Sequence, residues 1–344
     1  MGLCPMKPRV SCGGMADAMS IRRLRMCLYL IVLAVLVGCH RAPTPPPFKA
    51  SSATPFLTFI DPQGPIAAAQ RAHLIRVVIL LAIVVVPVLV LTPILVWRYR
   101  LNGSATYTPK WSFAWPFEFL VWGVPIAVVG GLAFWIHHDT IALDPYAPLA
   151  ASEPPLQVEV VGYDWKWLFI YPQFNIASIG ELAFPASRPL SIALTSDTVM
   201  QSFFIPALGS QIYAMPGMIT RLHLLANAPG RSRGENTQFN GTGFYQENFV
   251  ATAMTQDDFN VWVKRVQTAG IPLSPQAYAA ISQRSTLSDT RGVLGVGQKQ
   301  NEPLFFTDVS PNLFASIVQS FDTGMRGSSM QTGAHGAAPA AAGH

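Results

Sequence analysis

Two kinds of hydrophobic pattern divide the chain. From Val77 to Trp97, and again from Phe119 to Ile136, apolar residues run on without a charge. At ~1.5 Å rise per residue a helix of that length crosses a hydrocarbon core of ~30 Å, so two membrane spans are predicted, at about 76–97 and 117–137 within a hairpin over 74–138. Pro87 and Pro93 are expected to kink the first span, which helix neighbours in a membrane can tolerate. Trp115 and Trp135 suit the two interfaces of the second. Arg98, Arg100 and Lys110 stand between the spans with no acid among them, which places that loop in the cytoplasm and both outer ends on the exported side.

A shorter apolar run, Met26 to Val37, follows Arg22, Arg23 and Arg25 and ends in Leu36-Val37-Gly38-Cys39. A basic start, a short apolar stretch and small residues before a cleavage point read as a signal peptide over 1–38. The last four residues resemble the lipobox of bacterial lipoproteins, so Cys39 is the expected lipidation site and 39–73 an exported, lipidated segment. An ordinary signal peptide that happens to end in cysteine is the alternative, and a start at Met15 or Met19 fits equally.

Beyond residue 153 the pattern changes to short apolar runs separated by turn residues. Leu156 to Val161, Trp165 to Tyr171, Leu190 to Thr195, Ser202 to Ile205, Thr220 to Leu225 and Phe249 to Met254 read as strands of an all-β sandwich or barrel over 154–268. Phe184-Pro185-Ala186, Met215-Pro216-Gly217, Asn227 to Gly230 and Asn240 to Gly243 read as its turns. Thr255 to Gln267 predicts a helix, capped by Thr255, with Phe259, Trp262, Val263 and Val266 on one face. Ser274 to Ser282 and Pro311 to Phe321 predict two more within an extension over 269–323. The Gly, Ala, Ser and His tail over 324–344 has the composition of a disordered segment.

Composition sharpens this picture. Half the residues are hydrophobic and 12% charged, as befits a membrane protein with a sizeable aqueous domain. The net charge of +5 falls to +1 once the first 39 residues are set aside, so nothing implies a nucleic-acid partner. All four cysteines, Cys4, Cys12, Cys27 and Cys39, lie in those same residues. Disulfides, thiolate zinc, iron–sulfur clusters and thiolate copper are thereby excluded from the bulk of the chain.

Two spans followed by an exported β domain containing Gly162-Tyr163-Asp164-Trp165-Lys166-Trp167, then Asp197 to Phe204, Met215-Pro216-Gly217 and Ala226 to Gly230, resemble subunit II of the haem-copper oxidases. The likeness runs from about residue 36 to 322. It implies a cupredoxin-like Greek-key sandwich, which in the cytochrome c oxidases holds a binuclear copper centre. On this chain the first histidine ligand falls on Gln201, the two cysteines on Asn236 and Asn240, the carbonyl donor on Gln238, the second histidine on Phe244 and the methionine on Glu247. Every side-chain ligand is replaced. A mixed-valence copper pair needs thiolates and imidazoles, and residues 154–268 hold no cysteine and one histidine, His223.

A retained fold without copper is the pattern of the quinol-oxidising branch, and the bo-type ubiquinol oxidases are the members most similar. The resemblance implies a subunit of a proton-pumping complex that oxidises ubiquinol and reduces dioxygen to water. No cofactor is then expected on this chain; haems, the catalytic copper and the main quinol site belong to subunit I, the partners are subunit I, other oxidase subunits and membrane lipid, and cytochrome c is not a donor. The setting implied is the bacterial inner membrane with the C-terminal domain in the periplasm. A different class remains open, an anchored cupredoxin-like lipoprotein acting in assembly or interaction.

By the same resemblance Glu118 falls on the glutamate at the mouth of a proton channel that leads to a lysine of subunit I; the plainer alternative is a solvated acid favoured by the helix dipole. Trp165 and Trp167 read as packing of the sandwich core. His137 and His138 suit the interface better than a metal, His223 reads as a strand residue, and His335 and His344 belong to the tail. Arg71 and Arg76 flank the exported start of the first span, where quinone headgroups or phospholipid phosphates could be met, but snorkelling accounts for them.

Overall fold

The computed structural model describes residues 61–100, 113–149, 153–209, 211–296 and 302–322. The signal peptide, Cys39, Lys110, His335 and His344 lie outside them.

Two long helices come first, α1 (Pro65–Arg98) and α2 (Trp115–Ala142). Both open with proline in the first turn, where its missing N–H costs nothing. Both carry further prolines inside, Pro87 and Pro93 in α1 and Pro125 in α2. Each is long and apolar enough to cross a membrane. Their side chains leave Leu89, Val96, Trp122 and Phe134 about two-thirds exposed, an apolar surface that water would penalise and lipid or a partner helix would not. Helix α1 extends 12 residues ahead of the charge-free stretch, and its start packs on the sandwich.

The remainder is a two-layer sandwich. One sheet has the order β11-β12-β3-β2-β1-β5-β8, the other β4-β10-β9-β6-β7. Their strands are β1 (Leu156–Tyr163), β2 (Lys166–Tyr171), β3 (Ile176–Ile179), β4 (Glu181–Pro185), β5 (Leu190–Ser196), β6 (Gln201–Phe204), β7 (Gln211–Ala214), β8 (Thr220–Leu224), β9 (Gly230–Asn236), β10 (Asn248–Met254), β11 (Ile271–Pro272) and β12 (Leu304–Thr307). Most neighbours are antiparallel, but β1 runs parallel to β5, β4 parallel to β10 and β11 parallel to β12. The pattern had suggested a turn at Phe184-Pro185-Ala186; the first two residues instead end β4, an edge strand, where a proline is tolerated because no further strand needs its N–H.

Between the layers Trp167, Phe169, Phe203 and Phe249 form an aromatic centre, with Trp167 edge-on to Phe203 at 5.3 Å and Phe203 stacked on Phe249 at 5.2 Å. Tyr171 ties the sheets at their far end, its hydroxyl donating to the Ala183 carbonyl at 2.8 Å and accepting from the Ala183 N–H at 2.9 Å.

A second core lies on the outer face of the larger sheet, where Val161, Tyr163, Leu168 and Ile170 meet Ile281, Phe314 and Ile317 from the C-terminal extension. This explains why all six residues of β2 are buried and its sequence does not alternate. Helix α3 (Gln256–Ala269) ends the sandwich segment, and the extension supplies α4 (Pro275–Ser282), α5 (Leu287–Val293) and α6 (Leu313–Asp322). The side chains of Thr255, Ser274 and Thr286 cap the first three. It also inserts β12 beside β3, so the sheet is completed by residues far along the chain.

Candidate functional site

Six positions implied by the resemblance converge where β6, β9 and β10 end. Asn236, the last residue of β9, uses its side-chain oxygen to accept from the Ser202 and Gln238 N–H groups, both at 2.9 Å. Its amide nitrogen donates to Glu247 Oε2 at 3.0 Å, and Asn240 Nδ2 donates to the same oxygen at 2.6 Å. Gln201 opens β6, fully buried, and donates to the Tyr163 carbonyl at 2.9 Å. Phe244 turns away to pack on Phe239, ring centres 5.7 Å apart.

Glu247 is only 1% exposed and its Oε1 has no hydrogen-bond partner. Burial pushes its carboxyl up to about 8, against the pull of the two asparagine hydrogen bonds, so at neutral pH it is chiefly the uncharged acid. A cavity of about 330 Å³ lies alongside, lined by Arg233, Glu235, Asn236, Phe244 and Glu247.

The donor set does not fit a binuclear copper centre. It consists of amides and a neutral acid already bonded to one another, with neither thiolate nor imidazole. No group of three or more His, Cys, Asp or Glu side chains is placed to hold a metal among the described residues.

The aromatic turn beside this loop separates the two tryptophans. Trp167 is buried in the core as expected, but Trp165 is not a core residue. It sits in the β1–β2 turn with φ of 70°, and the Arg284 guanidinium lies 5.0 Å over its ring. Gly243 presses against the same indole so closely that a Cβ there would fall 2.1 Å from a ring carbon. Arg284 also pairs with Asp164 at 3.3 Å, closing the extension over the turn.

Lys166 was not foreseen as important. It is 3% exposed, and its ammonium donates to the carbonyls of Gln283 and Ser285 at 2.8 Å and to the Ser285 hydroxyl at 2.9 Å. Burial lowers it to about 8, against the attraction of Asp164, Asp289 and Glu247. The one charge in the apolar run Lys166 to Tyr171 was the available signal.

Glu118 lies in the first turn of α2, exposed, with its N–H donating to Ala114 at 3.1 Å. It is remote in sequence and fold from the amide cluster. His223 lies in β8, its imidazole held below the usual range by burial and by Arg221. His138 contacts Asp139 at 3.1 Å, and His73, which the pattern had not singled out, meets Asp139 from the other helix at 2.5 Å.

No protein-family model matches the chain. Among curated proteins it is 40% identical over 272 residues to cytochrome bo(3) ubiquinol oxidase subunit 2 of Pseudomonas putida, covering 78% of this chain and 82% of that one. It is also 40% identical to ubiquinol oxidase subunit 2 of Acetobacter aceti, over 78% and 84% of the two chains. Among solved structures, the periplasmic domain of cytochrome oxidase subunit II from Bradyrhizobium japonicum aligns at 20% identity and a TM-score of 0.32, over 33% of this chain and 95% of that one.

Proposed function

The chain belongs to the family of ubiquinol oxidase subunits II, and from that premise we propose that it is the second subunit of a proton-pumping terminal oxidase that oxidises ubiquinol and reduces dioxygen to water. The observation that carries the reading is the amide cluster. Where a cytochrome c-linked relative would need soft copper ligands, Asn236, Asn240 and Glu247 satisfy one another. Electrons must then reach the complex by a carrier other than a soluble protein docking on this domain, and a membrane quinol is the carrier that the relatives' names specify.

In this reading the chain carries no redox centre. Haems and catalytic copper reside in subunit I, and the subunit's work is architectural. Its two spans (about 76–97 and 117–137) pack on subunit I in the inner membrane, a lipid on Cys39 holds the exported segment 39–73, and the sandwich of 154–268 with its 269–323 extension stands in the periplasm. Glu118, in the first turn of α2, is the residue that meets the proton chemistry, at the cytoplasmic mouth of a proton channel.

The test is to purify the membrane complex and compare oxygen uptake with ubiquinol and with reduced cytochrome c. Haem-containing material active with ubiquinol alone is expected. A haem-free, inactive chain would refute the oxidase assignment and favour an anchored interaction lipoprotein.

A further inference from the structure

Methionine is unevenly placed in this chain. None occurs between Met26 and Met200, and then Met200, Met215 and Met218 follow in two neighbouring loops. Among the described residues Met200 and Met218 are exposed, at 42% and 53%, and Met215 is half-buried. Met254 alone packs on the core between the sheets.

The fold brings the three to one corner. Strands β6 and β7 pair with Gln201 opposite Ala214 and Ser202 opposite Tyr213. One step before Gln201, the same register sets Met200 against Met215. Gln201 and Ala214 are buried while Tyr213 is exposed, so alternation turns Met200 and Met215 to the outer side. Positions opposed in this way have Cβ atoms about 5 Å apart. Met218 closes a tight turn on Met215, its N–H donating to the Met215 carbonyl at 3.3 Å, with Gly217 at a φ of 69°. The ends of such a turn lie less than about 7 Å apart. The corner is held in place, because the Thr195 hydroxyl also donates to the Met215 carbonyl at 3.3 Å and a Cβ on Gly217 would fall 3.2 Å from Phe321 Cβ in α6.

Exposure removes the usual reason for methionine, which is to fill gaps in a core. What three neighbouring thioethers offer instead is a set of neutral, polarisable sulfur donors, and such soft donors suit cuprous ion. We propose that Met200, Met215 and Met218 form a surface site for Cu(I) on the exported sandwich. It is separate from the amide cluster, since Gln201, next in the chain, is turned inward and donates to Tyr163. No electron moves; the ion is taken up and released as Cu(I). Thioethers carry no titratable proton, so binding displaces none. Affinity is therefore independent of pH, unlike that of imidazole or thiolate sites, which must lose protons to bind.

The test uses the full-length protein purified from membranes in detergent, with its intrinsic copper measured first. Cuprous ion is supplied anaerobically with ascorbate and competed against a chromogenic Cu(I) chelator of known affinity at pH 6 and 8. One further equivalent is expected to bind, with a sulfur-only shell in copper X-ray absorption and less than about twofold difference in affinity between the two pH values. Met200→Leu and Met218→Leu, which keep the apolar volume, are each expected to weaken binding by roughly tenfold or more. Leucine at all three positions should abolish it, and Met254→Leu should leave it unchanged, with haem content and ubiquinol oxidation as in the wild type throughout. No further equivalent, or binding that survives leucine at all three positions, would overturn the proposal. So would a nitrogen shell with affinity rising with pH, which would assign the copper to histidine. Unchanged copper affinity together with loss of a partner subunit in the leucine variants would make the corner a protein contact instead. A wild-type complex inactive with ubiquinol would refute the oxidase reading and leave the copper titration standing.

Discussion

Replacing Glu247 by glutamine tests the most unusual electrostatic feature of the sandwich. The side chain keeps its shape, and its carbonyl oxygen can still accept from Asn236 and Asn240, which now share Oε2 at 3.0 and 2.6 Å. What changes is the proton. Burial raises the folded-state value from 4.5 to about 8, while in the unfolded chain the group ionises near its ordinary value. Between those values the folded state holds a proton that the unfolded state has lost. Stability is therefore fully present below about pH 4.5, declines as pH rises, and the contribution is gone above about 8. The gap corresponds to at most about 5 kcal/mol at 1.36 kcal/mol per pH unit. Glutamine does not titrate, so Glu247→Gln should match the wild type near pH 5 and exceed it by a few kcal/mol at pH 8. Urea unfolding of the exported domain within the full-length chain, followed by tryptophan fluorescence at several pH values, measures the difference. Parallel profiles for the two proteins from pH 5 to 8 would refute the buried neutral acid.

Lys166→Met should cost about 2–4 kcal/mol, because the Gln283 and Ser285 carbonyls lose a buried ammonium donor, and amide exchange across 283–296 should accelerate while the strands stay protected. Because burial depresses the Lys166 value to about 8, the wild type should gain stability as pH rises from about 8 towards 10.5, where only the unfolded chain still binds that proton, and Lys166→Met should lack this rise. Glu118→Ala should slow proton uptake during reduction of the oxidase active site, checked by stopped-flow with a pH dye; unchanged reductive kinetics would remove the role given to it. Cys39→Ser should abolish metabolic palmitate labelling of the subunit, and persistent label would disprove the lipid anchor.

Features that depend on residue types or on local spacing could be read from the amino-acid sequence alone. The two spans follow from uninterrupted apolar length. Helix α3 and its Thr255 cap follow from a period and one side chain, and the structure places them within two residues of the expected bounds. The unsuitability of the copper ligand positions needs only the absence of cysteine, since no folding can supply a thiolate that is not there.

What tertiary structure alone decided involves partners distant in sequence. Strands β3, β7 and β12 are not declared by the pattern, although β6, equally four residues long, is, and β12 finds its register only against β3. Trp165 carries the same residue type as Trp167 but lies in a turn under Arg284, because an indole can pack in a core or beneath a cation with equal chemistry. Lys166 and Glu247 have shifted protonation because distant segments close over them, the extension in one case and the β6, β9 and β10 ends in the other. His73 and Asp139 are 66 positions apart and meet only when the hairpin closes. Composition fixes which chemistry is available, whereas burial and direction, which set proton affinities and reactive faces, exist only once the chain has folded.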